Sequence, residues 1–402
     1  MLDDSGLFTD VGQTYKESIF VTPLLDQISS QAAKADQTRS VDADLIRELK
    51  KNNIMRISAS PEIGGLNASI ISIANELRAI APRCTSTAWC MWNHLCTFHH
   101  FAGLLGPENK EFLAQIVSDK HWVCFPAGAS SEIAGDKTDN AINLTGVAAF
   151  GSGSRYSEWA GVVFNEGWSD NQTPFFSMVD LREPSVRIEQ TWEAMSVRAS
   201  ATDHIHYKDA SVPEDRVVPW PLRHRENLRD PKYSVIHNRY REDWVGLSVV
   251  WLGAMATGLV EVSLNEVSAN IKERIAIFGT KMVDKPTIHS NLGRARALLN
   301  AATDTVYAAM AETDARIEEN ILPMEGDYFR QTSSGMQAIV LCEEAMKLIL
   351  RVLGGNGLRE GTDFERRYRD FQAFPLHING HADRINEQLG RIALGLDSQN
   401  VF

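Results

Sequence analysis

Apolar positions recur at helical spacing up to about residue 120, break into short alternating runs, and return to helical spacing after about residue 215. The first region predicts an amphipathic helix over 19–35, a short one over 42–51, and clear helices over 69–81 and 86–105. Pro107-Glu108 opens another with an acidic first turn, and "SPEIGGLN" at 60–67 reads as a loop. From His121 the runs "HWVCFPAG", "NAINLTGVAAF", "WAGVVFNE", "PFFSMVDL", "SVRIEQTW" and "DHIHYKDASVP" are bounded by Gly, Pro, Asn and Asp. They predict strands of a compact β unit ending near Pro213. A Pro- and Arg-rich connector over 218–232 leads into long helices near 243–277, 286–318 and 332–353, as in a four-helix bundle. Thr332-Ser333-Ser334 is the expected cap of the last one, and Gly354, Gly355 and Gly357 its stop. The chain is therefore expected to be mainly α with a central β domain. Its three parts are a helical domain over 1–120, a β domain over 121–215 and a helical bundle over 216–402. That order names no reaction.

Composition narrows the partners. Lys and Arg total 40 against 52 Asp and Glu, a net charge of -12, which disfavours a nucleic-acid partner. A small anion held by one arginine remains compatible. Cys84, Cys90, Cys96, Cys124 and Cys342 are scattered, with neither a disulfide framework nor metal-ligand spacing, so no metal is expected. The N-terminal "MLDDSGLFTDVGQ" is acidic and lacks a leader pattern, and no uninterrupted apolar run approaches membrane-spanning length. These features predict a reduced, cytoplasmic protein.

Four segments, taken in order, carry a resemblance. "PAGASSE" (126–132), "SVRASATDHIHYKDASVP" (196–213), "ERIAIFGTKMVDKP" (273–286) and "LGGNG…RRYRD" (353–370) resemble stretches of the acyl-CoA dehydrogenase superfamily, over nearly the whole chain. The departures matter as much. Dehydrogenases of that family need a carboxylate to remove a substrate α-proton. The comparable place here reads His377-Ile378-Asn379-Gly380-His381, and an asparagine amide is no general base. The other family position for the base falls in "WVGLSVVWLGAMATG" (244–258), also without Glu. The chain is more similar to the branch of flavin-dependent monooxygenases that shares the fold. Ser152-Gly153 with Trp159 keeps that branch's spacing, and "TSTAWCMWNHLCTFHH" (85–100) resembles its helix through Trp89 and His100.

The resemblance implies the oxygenase component of a two-component system. Reduced FAD, in preference to FMN, would be supplied by a separate NAD(P)H:flavin reductase, since no GxGxxG follows a strand. Oxygen would be transferred through a C4a-hydroperoxyflavin to a small aromatic, indole or indole-3-acetate first and a phenol second, in a homotetramer. It implies His377 as the catalytic histidine with His100 second, and Ser152 beside flavin N5. Phe125, Ala127, Gly128, Gly153, Ser154, Arg274, Phe278, Gly354 and Gly355 would bind the cofactor, and Trp92, His100, Asn379 and Arg198 the substrate. Plainer readings stand beside these. His377 and His381 at i and i+4 fit a solvated helix face, His99-His100 fit core histidines, and Gly-Ser-Gly-Ser fits a turn. Arg198 fits a structural ion pair. A dehydrogenase with a displaced base and a non-catalytic scaffold of the same fold remain as alternatives.

Overall fold

The computed structural model describes residues 18–126, 132–166, 174–220, 224–276 and 279–398. Five helices come first: α1 (Leu25–Thr38), α2 (Ala43–Lys51), α3 (Ile70–Ile80), α4 (Thr85–Leu105) and α5 (Lys110–Ser118). Asp42 and Ser69 cap α2 and α3 by accepting backbone N–H bonds from Asp44 and Ser72. The first helix starts six residues later than the periodicity predicts. Glu76 of α3 accepts the N–H groups of Ile19, Phe20 and Val21 at 2.5, 3.1 and 2.8 Å, and Pro23 sits in the short turn that follows. Glu76 thus anchors this segment to α3, and the helix proper begins only beyond Pro23.

The strands are β1 (Val123–Cys124), β2 (Glu132–Lys137), β3 (Ala141–Gly151), β4 (Trp159–Glu166), β5 (Phe175–Asp180), β6 (Val186–Glu189), β7 (Asp203–Pro213) and β8 (Val218–Pro219). They form one sheet in the order β6-β7-β3-β2-β4-β5-β8, with β1 pairing β4 in parallel. Strand β2 escapes the pattern because "EIAGDK" has few apolar positions; its pairing with β3 makes it a strand. The β3–β7 ladder shifts register between Ala148 and Gly151, where Phe150 adopts a positive φ of 61°. That bulge turns the chain towards Ser152.

The short helix α6 (His224–Arg229) and β8 occupy the connector. Then come α7 (Trp244–Ile271), α8 (Pro286–Glu318), α9 (Glu325–Leu353), α10 (Asp363–Phe371) and α11 (Ala382–Ala393). Helices α7, α8 and α9 pack on one another, and α11 lies along α9. The expected cap at Thr332-Ser333-Ser334 is wrong by two turns. Helix α9 begins at Glu325, where Asp327 accepts the Met324 N–H at 2.7 Å. Thr332 and Ser333 sit inside it and bond back to the Tyr328 and Phe329 carbonyls. Gly354, with φ 59°, ends the helix as expected. Contrary to the expectation from the sequence, α7 is long and apolar enough to cross a membrane by length and composition. Here that apolar surface is core, enclosed by α3, α4, α8 and α9. Helix α4 is likewise buried at every residue, so its polar side chains all act inside the protein.

Candidate active site

The bulge of β3 presents Ser152 to two other elements. Its hydroxyl accepts the Trp89 indole N–H of α4 at 3.2 Å and shares a proton with Thr202 at 2.9 Å; Thr202 in turn meets Ser200 at 2.7 Å. A hydroxyl has one donor and two acceptor positions, so the chain Ser200–Thr202–Ser152 can run in either sense and leaves Ser152 one position unused. The loop before β7 is strained to make this fit. Val197 and Ala201 have φ of 41° and 48°, a left-handed conformation that costs an L-residue about 1–3 kcal/mol. Gly153 can take its φ of 80° without that penalty, and its N–H bonds to the Ser200 carbonyl at 2.8 Å. Ser154 follows, with N–H and hydroxyl both donated to the Ala201 carbonyl.

The C-terminal helices hold that loop from behind. Asp370 of α10 accepts the Val197 N–H at 2.7 Å, its carbonyl accepts the Ser196 hydroxyl, and Ser86 of α4 accepts the Ala199 N–H. Complete burial pushes the Asp370 carboxyl up to about 7, against the pull of Arg369. Arg369 grips Asp36 of α1 through both oxygens, at 3.0 and 2.8 Å, and also meets Glu365 and the Met195 carbonyl. The Arg-Asp pair read from the sequence is thus a strut between α1, α10 and the loop.

Beyond α10 the chain reaches His377, which is not in a helix with His381. His377 precedes a single 3-10 turn (Ile378–Gly380), and His381 starts α11, so the i, i+4 helix-face reading is set aside. The His377 ring lies edge-on to Trp92 and Trp89, with centroids 4.9 and 5.5 Å away. Its enclosure pushes the imidazole pKa down to about 4, with the charge of Arg384 adding to the effect, so the ring is neutral near pH 7. Asn379 donates its side-chain amide to the Ser248 hydroxyl of α7 at 2.9 Å, and the Ser248 carbonyl accepts the Trp92 indole N–H at 2.9 Å.

Trp89 joins the two halves, hydrogen-bonded to Ser152 and stacked edge-on against His377. Ser152, Gly153, Ser154, Trp92, His377 and Asn379 therefore come together. His100 does not. It lies eleven residues after Trp89 on α4, about 16 Å along the helix axis. There its ring stacks on Trp244 at 4.6 Å within a cage that includes Phe125 and Trp220. The Phe125 ring is thus placed with His100, while Pro126 after it packs beside Gly151. Arg274 donates to the Leu353 carbonyl at 3.0 Å, which puts it beside Gly354 and Gly355 at the end of α9. Arg198 faces Asp36 at 3.6 Å, an ion pair. Ala127, Gly128 and Phe278 fall outside the described residues. Sequence reasoning passed over Thr202, Ser200 and Ser248 as site residues. The first two stand in the Arg-x-Ser-x-Thr segment that carried the resemblance, which was the signal available.

The arrangement fits a planar, acceptor-rich ligand. Besides the spare position on Ser152, the buried Trp122 indole N–H has no partner among the described residues and lies 3.6 Å from where a Gly153 side chain would stand.

Comparison with known proteins bears on the fold and on the kind of relative. Residues 250–381 match the family described as acyl-CoA dehydrogenase, C-terminal domain. A pigment production hydroxylase of Rhodococcus sp. is 24% identical over 94% of this chain and 95% of its own length. The oxygenase component of p-hydroxyphenylacetate 3-hydroxylase from Acinetobacter baumannii is 23% identical, over 94% and 88%. Among solved structures, XiaF from Streptomyces sp., in complex with FADH2 and glycerol, superposes with a TM-score of 0.85 at 19% identity, covering 99% of this chain and 98% of that one. Another neighbour, from Paenibacillus, holds FMN and indole. The chain has the acyl-CoA dehydrogenase fold, and its relatives include oxygenase components of flavin-dependent hydroxylases alongside acyl-CoA dehydrogenases.

Proposed function

We propose that this chain is the oxygenase component of a two-component monooxygenase that hydroxylates a small aromatic with reduced flavin and O2. The observation that carries the reading is the meeting of Ser152 and a neutral His377 on Trp89, in a cluster without a carboxylate. Dehydrogenation of a thioester needs a carboxylate base, and two buried acids of the helical domains are committed elsewhere. Asp370 holds the Val197 loop, and Glu242 holds Arg316 through both oxygens at 3.0 Å and Gln331 at 2.8 Å.

The flavin, when bound, supplies the activation of oxygen. The turn at Ser152, Gly153 and Ser154 would face it, with Phe125, Ala127, Gly128, Arg274, Phe278, Gly354 and Gly355 as the further candidates for holding it. FAD is preferred to FMN because the neighbour with a TM-score of 0.85 holds FADH2, although FMN occurs in others. Its reduction falls to a separate NAD(P)H-dependent reductase, and the assembly is proposed as a homotetramer. Trp89 and Trp92 pack edge-on against His377 and hold its ring, which would position the substrate.

Oxygen consumption and product formation with chemically reduced FAD or FMN, across a panel of indoles, phenols and amines, test this reading. Hydroxylated product from an aromatic is the expected result. Dye reduction by short-, medium- or branched-chain acyl-CoA above a flavin-only control, with no aromatic product, contradicts it.

A further inference from the structure

Ser152 owes its hydroxyl partners to a loop that is held out of its relaxed shape. The segment 196–202 reads Ser-Val-Arg-Ala-Ser-Ala-Thr, so no glycine eases the left-handed turns at Val197 and Ala201. Such a conformation persists only where surrounding contacts over-determine it. Those contacts fall on two sides. On one side the loop grips the Ser152 turn. The Ser200 and Ala201 carbonyls accept the Gly153 and Ser154 N–H groups at 2.8 and 3.2 Å, and Thr202 meets the Ser152 hydroxyl. On the other side the loop is itself gripped, by Asp370 at Val197 and by Ser86 at Ala199.

Val197 joins the two sides. Its N–H goes to Asp370 at 2.7 Å, while its carbonyl accepts the Ser200 N–H at 2.9 Å and the Trp192 indole N–H at 3.1 Å. Val197, Ala199, Ser200, Ala201 and Thr202 are all buried, so water offers the strained backbone no substitute partner. Among the described residues, no hydrogen bond of Asp370 reaches the 152–154 turn. Its carboxylate holds Val197, its carbonyl takes the Ser196 hydroxyl, and Arg369 lies 3.8 Å away.

A carboxylate is a poor choice for mere cement at this place. Burial pushes Asp370 up to about 7, with Arg369 and Arg366 pulling it down, Asp36 adding to the rise and Cys84 close by. The folded pKa lies above the unfolded one, so this group contributes less stability as pH rises from the usual carboxylate range towards 7. What the charge adds is a stronger bond to one backbone N–H. We propose that Asp370 is a positioning residue for Ser152. By fixing Val197 it keeps the Ser200–Thr202 pair against the Ser152 hydroxyl and holds the Gly153–Ser154 turn in place, without touching either. The oxygenase reading enters only in what Ser152 faces; the transmission belongs to the chain alone.

Hydrogen–deuterium exchange of the full chain without flavin tests the transmission, in wild type, Asp370→Ala, Asp370→Asn and Ser86→Ala. The Asn side chain keeps an oxygen for the Val197 N–H, and the Ala side chain does not. The Gly153 and Ser154 amides are expected to exchange about 10-fold faster in Asp370→Ala, as loss of a bond to a charged acceptor implies, and within about 3-fold of wild type in Asp370→Asn. Ser86→Ala loosens the same loop through a neutral bond and is expected to act in the same direction, more weakly. Unchanged exchange at Gly153 and Ser154 in Asp370→Ala overturns the proposal. Equal acceleration in α8 also overturns it, because that marks a general loss of stability. Where Asp370→Ala does not fold, Ser86→Ala decides by the same two criteria.

Anaerobic titration with reduced FAD carries the test to the cofactor. Ser152→Ala and Asp370→Ala are each expected to weaken binding about 3- to 10-fold, the span of one neutral hydrogen bond. The double variant is expected to bind no more weakly than Ser152→Ala alone, since Asp370 acts through that hydroxyl. Additive losses overturn the proposal. Faster exchange at Gly153 and Ser154, with reduced FAD bound equally by wild type and Ser152→Ala, supports the positioning role and removes the flavin from Ser152, which sinks the reading of the site instead.

Discussion

Ser152 shows how much a single hydroxyl can do when its neighbours are fixed. Trp89 can only donate to it, while Thr202 can either give or receive, so the hydroxyl can change from donor to acceptor without moving a heavy atom. That is a useful property beside a ring whose own hydrogen-bonding pattern changes with its redox state. Ser152→Ala removes one neutral hydrogen bond, worth about 1 kcal/mol, which corresponds to a several-fold change in a rate. With a reductase supplied, the variant is expected to release several-fold more peroxide per NADH consumed and less product. Unchanged coupling would remove Ser152 from the site. Ser152 and His377 could be named as candidates from the sequence because the departures from the dehydrogenase pattern fall on them, and the structure brings both onto Trp89. The bond that His377 Nδ1 accepts from the Asn379 N–H, at 3.2 Å, was not legible, since it depends on the turn that follows the histidine. Nor was the separation of His100, which turns on how far a straight helix carries two side chains apart.

At the scale of elements, the contact between α7 and α9 fixes where Ser248 stands, and through it Asn379. The two helices approach closely enough that a side chain at Gly335 would lie 2.3 Å from the Val249 carbonyl, and one at Gly253 would lie 3.1 Å from the Gly335 carbonyl. Gly335→Ala is therefore expected to cost about 1–3 kcal/mol, as overpacked cores do. Gly293→Ala on α8, where a methyl meets nothing within 4 Å, is expected to gain about 0.5–1 kcal/mol from the glycine's lost backbone freedom. Denaturant melts of the two variants check both signs. Equal effects would mean that the α7–α9 seam has slack. The three long helices were readable from periodicity, and β4 and β7 fall where the alternating runs end. The start of α9 was not, because Thr332-Ser333-Ser334 has the composition of a cap but spends its hydroxyls on the turn behind it. Strand β2 lay hidden for the opposite reason, being polar enough to pass for a loop until it pairs with β3.

For the whole molecule, the order helices, sheet, helices is what brings the chemistry together. Ser152 comes from a strand bulge, Trp89 from α4, Thr202 from the loop entering β7 and His377 from the segment after α10, so no short stretch of sequence contains the site. Only the resemblance to a fold could join them in advance; composition and charge excluded partners without choosing a reaction. The central claim is that this assembly places an oxygen atom on an aromatic ring. The most direct measurement mixes the protein, loaded anaerobically with reduced FAD and a phenol, with isotopically labelled O2, and analyses the product of one turnover by mass spectrometry. The account predicts one labelled oxygen in the product, with the ring hydroxylated. A product without the label, or oxygen returned wholly as peroxide with every phenol and indole tried, would contradict it.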